Sequence, residues 1–317
     1  MNPRAEMMQI EVLRNSQSSK NLAGKSKPYP AAISSVELKS LDDLPNLLKK
    51  LMASKPDCII IDGGDGTVRE VLTHLPAICG NKMPMIGIIA NGNSNLIARN
   101  AGFIKSPDAL LKLAEFSVEQ LEAMAHPTPL LRLVFDDKSR PPLRGFMMGW
   151  GAYSNATELA QQETNKKGAF LILAILFKVI KTIMFESRDR GLRKGSLMSM
   201  KIDGQTYQQG ARFIGLATTL RGPLSAGLNP FWGEGEGAIR WTDILAPAPR
   251  FLISVLCAVS GRPTKWMTRH GYLSGKANSI ELSLKSPLVL DGEIFSFDDK
   301  QSITLSADEN VRFISMG

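Results

Sequence analysis

Apolar and polar positions follow a repeating pattern over the first 125 residues of the chain. Short runs of consecutive apolar residues, such as "CIIID" at 58–62 and "MIGIIA" at 85–90, predict buried strands. Between them, "SLDDLPNLLKKLMA" at 40–53 and the stretch that begins at Thr67 have the spacing of amphipathic helices. Continuous apolar strands that alternate with helices are typical of a parallel sheet covered on both faces. The N-terminal part is therefore predicted to be a doubly wound α/β domain.

The pattern changes after the proline-containing stretch "AHPTPL" at 125–130. Downstream segments such as "SIELSLKS" at 279–286 alternate with a period of two and are separated by turn residues. They predict an antiparallel β-sandwich or distorted barrel, interrupted by a helical insertion near 156–185. We expect a first domain over 1–127, to which residues from about 306 to 317 return, and a β-rich second domain over 128–305.

Charge and cysteine content narrow the class of protein. The chain has 38 Lys and Arg against 30 Asp and Glu, and the net charge of +8 favours anionic partners: nucleotide phosphates, acidic lipid or nucleic acid. Cys58, Cys79 and Cys257 are odd in number and far apart, which argues against a disulfide framework or zinc site and fits a reducing cytoplasm. The longest apolar runs, "AFLILAILF" and "FLISVLCAV", fall short of the roughly 18 residues that a spanning helix needs. We expect a cytoplasmic protein without membrane-spanning helices.

Three loops with phosphate-binding chemistry follow predicted strands, at 15–19, 63–67 and 91–95. Ligands of open parallel sheets bind at the carboxyl ends of the strands. Glycines allow the backbone to approach a phosphate, and the amides of a following helix point at it. A glycine turn alone can be purely structural, but Asp65 between glycines suits a carboxylate that serves magnesium or orients a hydroxyl. A polyphosphate is the expected ligand.

The loop sequence "GGDGTVREVLTHL" at 63–75 resembles the catalytic-domain family of diacylglycerol kinases, which includes bacterial lipid kinases and sphingosine kinases. The wider superfamily contains NAD kinase. The resemblance continues in "NLIARNAG" at 95–102, in "NPFWGEGEGAI" at 229–239 and in "LVLDGEIF" at 288–295. Ala90 and Asn93 stand where the family has a proline and a threonine, so these two positions keep only the spacing, as Glu236 does. The positions at the family's spacing are Ala90, Gly92, Asn93, Asn95, Ala98, Arg99, Pro230, Glu236, Gly237, Ile239, Asp291, Gly292 and Glu293.

This resemblance implies an NAD kinase-like nucleotide domain and transfer of the ATP γ-phosphoryl group, with Mg²⁺, to a diacylglycerol-like or sphingoid-like lipid hydroxyl in the interdomain cleft. The residues expected to hold ATP are Asn15, Gly63, Gly64, Gly66, Thr67, Gly92, Asn93 and Asn95. The catalytic candidates are Asp65 for magnesium or the hydroxyl, and Asp291 or Glu293 as the base. Glu236 stands where bacterial members have an aspartate that helps to hold a structural magnesium, and whether that metal site survives is open.

Two alternatives and the partners complete the sequence-based expectations. The first alternative is an NAD kinase-like small-molecule kinase, which would lack the Ala-Arg pair and the late Asp-Gly-Glu, so both features argue against it. The second is an inactive lipid-binding or regulatory relative, at which Asn93 and Glu236 hint. The segment 166–194 has eight basic residues beside an apolar run, which suits either an anionic membrane surface or a buried helix with a solvated end. A lipid substrate favours peripheral membrane association. We expect no nucleic-acid partner, and we leave open both homodimer formation and the identity of the lipid.

Overall fold

The computed structural model describes residues 8–316 except 26, 32, 81, 163–194, 208–209 and 225–227. The chain divides into two compact units, called unit 1 and unit 2 below. Unit 1 comprises Met1–Thr128 and Asn310–Gly317, and unit 2 comprises Pro129–Glu309.

Unit 1 is built on four parallel strands in the spatial order β2-β1-β3-β4. The strands are β1 (Ile10–Asn15), β2 (Ser35–Leu38), β3 (Cys58–Gly63) and β4 (Met85–Ala90). Strand β3 is buried along its whole length, and β4 is buried up to its last residue. These are the continuous apolar runs from which a parallel sheet was predicted, and the prediction is confirmed. Asn15, Gly63 and Ala90 end their strands at one edge of this sheet.

The helices of unit 1 connect these strands. They are α1 (Ser19–Leu22), α2 (Leu44–Met52), α3 (Asp65–Cys79), α4 (Leu96–Ala101), α5 (Ala109–Ala114) and α6 (Val118–Met124), with a 3₁₀ turn at Leu41–Asp43. The helix expected from Thr67 begins two residues earlier, at Asp65. Gly64 is its N-cap, in an extended conformation (φ −95°, ψ 179°) that ends the strand and lets the helix start at once. The expected start was therefore wrong by two residues.

Unit 2 is antiparallel and rich in β-structure, as predicted. Its strands are β5 (Ala125–Phe135), β6 (Leu143–Gly145), β7 (Met147–Gly151), β8 (Ser196–Ile202), β9 (Gln205–Thr206), β10 (Gly210–Thr218), β11 (Ile239–Leu245), β12 (Tyr272–Ala277), β13 (Ser279–Leu284), β14 (Leu288–Leu290), β15 (Glu293–Phe295) and β16 (Gln301–Ile314). Strands β5 and β16 carry the chain between the units; the end of β16 pairs in parallel with β4. One core cluster draws side chains from nine of these strands, with Trp150 and Trp241 among them.

Three helices accompany the strands of unit 2: α7 (Ala152–Gln162), α8 (Phe251–Val259) and α9 (Lys265–Arg269). Helix α7 occupies the start of the predicted helical insertion, and the rest of that insertion lies outside the described residues. No helix within the described ranges is long and apolar enough to span a bilayer.

A fully buried ion pair lies inside unit 2. Arg212 on β10 and Asp243 on β11 are both 0% exposed, and Arg212 Nη1 lies 2.9 Å from Asp243 Oδ2. Burial raises the pKa of Asp243 to about 6, although the Arg212 charge opposes that shift. An unpaired charge at this position would be costly, so the two residues depend on each other.

Candidate nucleotide site

The carboxyl edge of the unit 1 sheet brings together the three loops that the sequence indicated. Asn15 Nδ2 donates to Thr67 Oγ1 at 2.7 Å, which joins the first loop to the second. The Asn91 amide donates to the Gly63 carbonyl at 3.0 Å, and the Lys20 amide donates to the Asn91 carbonyl at 3.1 Å. The loops therefore form one hydrogen-bonded group at the position where α/β sheets bind ligands.

Two glycines press the second and third loops against each other. A Cβ atom on Gly92 would lie 2.5 Å from Gly64 Cα, and one on Gly64 would lie 3.0 Å from Gly92 Cα. No side chain fits between these backbones, so both positions require glycine for the loops to meet. Gly66 differs: it is exposed, and an added Cβ would meet nothing within 4 Å. Packing does not require that glycine, and its backbone is accessible to a ligand.

The N-terminus of α3 faces this group of loops without a side-chain cap. The first amide bonded back into the helix is that of Val68, which donates to the Gly64 carbonyl at 3.1 Å. The preceding amides, including those of Gly66 and Thr67, have no partner one turn back, as at every helix start. With the dipole of a 15-residue helix behind them, they are suited to an anion.

A pocket of about 410 Å³ opens beside the third loop. Three cationic side chains line it, from Lys20 on α1, Arg99 on α4 and Lys105 after α4, together with Asn91 and neighbouring loop residues. Its lining includes no acidic residue. Lys20 Nζ also donates to the Ala90 carbonyl at 2.8 Å, which fixes this ammonium at the end of β4. The pocket is therefore suited to a polyanion.

Asp65 is bound to the neighbouring loop through both carboxylate oxygens. Its Oδ2 accepts from Ser94 Oγ at 2.5 Å and from the Leu96 amide at 2.8 Å, and its Oδ1 accepts from the Ile97 amide at 3.0 Å. Leu96 and Ile97 begin α4, so Asp65 caps that helix from a different loop. The side chain that the sequence suggested for magnesium or the hydroxyl is thus held by protein groups.

Asp62 makes a second set of contacts, which the sequence analysis missed. It is 1% exposed, and its Oδ1 accepts from Asn91 Nδ2 at 2.6 Å and from Asn21 Nδ2 at 3.0 Å. The Tyr29 hydroxyl donates to Oδ2. Burial and the Asp62 charge raise the pKa of Tyr29, so the phenol stays a neutral donor. The available signal was an acidic residue inside an otherwise apolar buried strand, because such a carboxylate must find donors.

We call Asp62–Asp65 the DGGD segment and Asn91–Asn95 the asparagine loop. Asp62 holds the beginning of the asparagine loop, Asp65 holds its end, and Gly64 contacts it in between. The loop also binds itself, because the Asn95 side chain accepts from the Gly92 amide and donates to the Gly92 carbonyl, both at 3.0 Å. Two carboxylates thus fix the conformation of the loop from opposite ends.

The Asp-Gly-Glu motif of unit 2 forms a hairpin between β14 and β15. Asp291 (φ 48°) and Gly292 (φ 89°) both have positive φ, as a two-residue type I′ turn requires. The Asp291 carboxylate accepts from the amides of Phe146 at 3.0 Å and Met147 at 2.9 Å, which ties the hairpin to the start of β7. Glu293 is exposed at the beginning of β15. Asp291 therefore has a structural role in this hairpin, whereas the Glu293 side chain extends from its surface.

Two other sequence-based expectations, a magnesium site at Glu236 and a membrane-facing segment at 166–194, stay predictions. Glu236 is exposed in a loop between Gly235 and Gly237. Among the residues that the structure describes, no three His, Cys, Asp or Glu side chains lie close enough to hold a metal ion. A magnesium site at Glu236 stays a prediction. The basic segment 166–194 lies outside the described residues.

Comparison with known proteins shows which family the site resembles. Residues 12–125 match the family model described as diacylglycerol kinase catalytic domain. This part of the chain is similar to the catalytic domain of diacylglycerol kinases. The matched range includes the three loops and Asp62, Asp65 and Arg99.

Curated relatives resemble a short part of the chain. A protein of Escherichia fergusonii named Probable lipid kinase YegS is 43% identical over 56 residues, which is 18% of this chain and 19% of that protein. Its namesake in Shigella flexneri is 41% identical over 56 residues, with the same two shares. The matches thus span about a fifth of the relatives' length.

Solved structures resemble the whole chain. A structure described as a diacylglycerol kinase from Bacillus anthracis str. Sterne aligns over 98% of both chains, with a TM-score of 0.59 and 15% identity. Another structure from the same organism aligns over the same shares, with a TM-score of 0.64 and 16% identity. At these identities the similarity establishes the fold.

Proposed function

We propose that the protein is an ATP-dependent lipid kinase that transfers the γ-phosphoryl group to the hydroxyl of a diacylglycerol-like or sphingoid-like lipid. The contact between Gly64 and Gly92 carries this proposal. It joins two glycine-containing loops and an uncapped helix start at one sheet edge, within the range that matches the diacylglycerol kinase catalytic domain. The names of the curated relatives support a lipid acceptor.

The geometry of unit 1 fits a nucleoside triphosphate. The amides of Gly66 and Thr67 at the start of α3 would hold phosphate oxygens, since no Cβ atom obstructs the approach at Gly66. The pocket cations Lys20, Arg99 and Lys105 would offset the remaining phosphate charge. Magnesium bound with the phosphates would neutralise charge on the transferring group.

We assign proton removal to Glu293. The Asp291 carboxylate is held by two backbone amides, so it positions the hairpin, and Glu293 next to it is exposed. In the reaction, Glu293 would accept the lipid hydroxyl proton while the hydroxyl oxygen bonds to Pγ. The bond from Pγ to the β,γ-bridging oxygen then breaks and ADP leaves. That Glu293 and the unit 1 loops act in one interdomain site stays a prediction.

A phosphoryl-transfer assay with labelled ATP tests the proposal. The acceptors are a panel of lipid alcohols in mixed micelles, with NAD as a further acceptor. We expect a labelled lipid product, and loss of about 10²- to 10⁴-fold in turnover for Glu293→Gln. Glu281→Gln is the matched control, because Glu281 in the same unit makes a surface pair with Lys201 at 2.9 Å. Labelled NAD would favour the small-molecule kinase, and no labelled product would favour an inactive relative.

A further inference from the structure

Helix α8 in unit 2 presents apolar side chains on its outer face. Phe251 and Ser254 turn inward and are 8% and 1% exposed. Ile253 and Leu256 turn outward and are 66% and 69% exposed. Residues three apart on a helix are neighbours, so the two outward side chains form one apolar ridge.

Cationic residues precede and follow this ridge along the chain. Arg250 lies immediately before α8, and its guanidinium sits over the Trp266 ring, 4.9 Å from the ring centroid. Trp266 on α9 stacks on His270 at 4.2 Å, so the start of α8 and helix α9 are joined by a stack of side chains. Arg262 and Lys265, between and at the start of these helices, are exposed.

The charged residues in and around α8 and α9 are all positive. Residues 244–280 contain no Asp or Glu, although the chain has 30 of them in 317 residues. The same stretch contains five cationic residues: Arg250, Arg262, Lys265, Arg269 and Lys276. No acidic side chain from the stretch itself therefore offsets these charges.

We propose that Arg250, Ile253, Leu256, Arg262, Lys265 and Arg269, called the α8–α9 surface, dock the protein on an anionic bilayer. Ile253 and Leu256 enter the boundary between headgroups and acyl chains, and the cations contact lipid phosphates. The choice of a bilayer as partner rests on the proposed function, because a lipid kinase must reach a substrate that resides there. This surface is separate from the segment 166–194.

The size of the apolar ridge favours a bilayer over a protein partner. A stable protein interface buries about 800 Å² on each side around a packed apolar centre. The two outward apolar side chains that the structure describes on α8 fall well short of such a centre. Membrane-surface binding requires only a few inserted apolar groups when basic residues add about 1 kcal/mol each near anionic lipid.

Vesicle sedimentation tests the α8–α9 surface without any catalytic step. The full chain is mixed with vesicles of phosphatidylcholine alone or of equal parts phosphatidylcholine and phosphatidylglycerol, at low and at high salt. We expect binding to the anionic vesicles that weakens with salt. Ile253→Ser combined with Leu256→Ser should lower the partition coefficient by about tenfold or more. Arg262→Gln combined with Lys265→Gln should lower it by about 30-fold at low salt, as expected for two lost contacts with anionic lipid.

The controls change comparable residues elsewhere. Leu111→Ser removes a leucine that is 42% exposed on α5, and Lys112→Gln removes the next residue, an exposed lysine. Both should bind like the unchanged chain. The proposal is overturned if the unchanged chain binds neither vesicle, if it binds both equally, or if the α8–α9 variants bind no worse than the controls. Kinase activity on a detergent-dispersed acceptor is measured separately, so failure of docking and failure of catalysis are distinguishable.

Discussion

Replacing Asp65 tests whether this carboxylate organises the asparagine loop or takes part in the chemistry. Asp65→Ala removes the acceptor for Ser94 Oγ and for the amides of Leu96 and Ile97. Loss of a helix cap costs about 0.5–2 kcal/mol, and hydrogen bonds to a charged group contribute about 1.5–3 kcal/mol. We therefore expect the free energy of unfolding to fall by about 1–3 kcal/mol. Asp65→Asn, which keeps one acceptor oxygen, should lose less.

Hydrogen exchange locates the effect of the Asp65 change. Peptides that cover Asn91–Ala101 should exchange faster in Asp65→Ala, because Leu96 and Ile97 lose their acceptors, while peptides from β16 should be unchanged. Asp108→Ala is the matched control. Asp108 is exposed and contacts Lys27 at 3.4 Å, and such surface pairs contribute only about 0–1 kcal/mol. This control should leave both the unfolding free energy and the exchange of the loop nearly unchanged.

Kinetics separate positioning from chemistry. If Asp65 acts through the loop, Asp65→Asn raises KM for ATP more than it lowers kcat, and the pH profile of kcat keeps its shape. A catalytic carboxylate would give the opposite result: a fall in kcat of about 10²- to 10⁴-fold with unchanged stability and loop exchange. That second pattern would refute the positioning role.

Three further expectations concern the Arg212–Asp243 pair and the glycines of the loops. Arg212→Met should lower the free energy of unfolding, measured by urea unfolding, by about 3–5 kcal/mol, because Asp243 is left buried without its partner. Combining Arg212→Met with Asp243→Leu should recover most of this lost stability. The folded-state pKa of Asp243, about 6, lies above its ordinary value. The folded state therefore binds that proton more readily, and its contribution to stability should fall as pH rises from about 4 to about 6, a dependence that Asp243→Asn should lack. Gly92→Ala should push the asparagine loop off Gly64 and abolish ATP binding measured by calorimetry, whereas Gly66→Ala should keep the fold and change only nucleotide affinity.

Local patterns were sufficient to predict the strand, loop and helix at Cys58–Cys79. An apolar strand, a glycine pair and helical spacing follow one another directly in the sequence. The only error here was the start of the helix, which was predicted at Thr67 and lies at Asp65. The antiparallel strands of unit 2 were predicted in the same way, from the alternation of apolar and polar residues with a period of two. Strands such as β13, where buried residues alternate with half-buried ones, keep that pattern in the structure.

Contacts between distant residues could not be obtained from such patterns. The donors to Asp65 lie about 30 positions away, and nothing local indicates that its carboxylate turns onto α4. The roles of Asp291 and Glu293 were left undecided for the same reason. Only the three-dimensional contacts show that amides of Phe146 and Met147 hold the Asp291 carboxylate.

The DGGD segment poses an electrostatic problem that its contacts resolve. Two carboxylates flank a glycine pair at an edge where a polyphosphate is expected, and like charges repel. Both carboxylates instead accept hydrogen bonds from the asparagine loop and its neighbours. Asp62 accepts from the side-chain amides of Asn21 and Asn91 and from the Tyr29 hydroxyl, and Asp65 accepts from the backbone at the start of α4. The hydrogen-bond donors described above for Asp62 and Asp65 are all neutral groups. The negative charges of Asp62 and Asp65 thus stabilise the conformation of the asparagine loop, and this is how two carboxylates can lie beside a loop that is expected to bind phosphate.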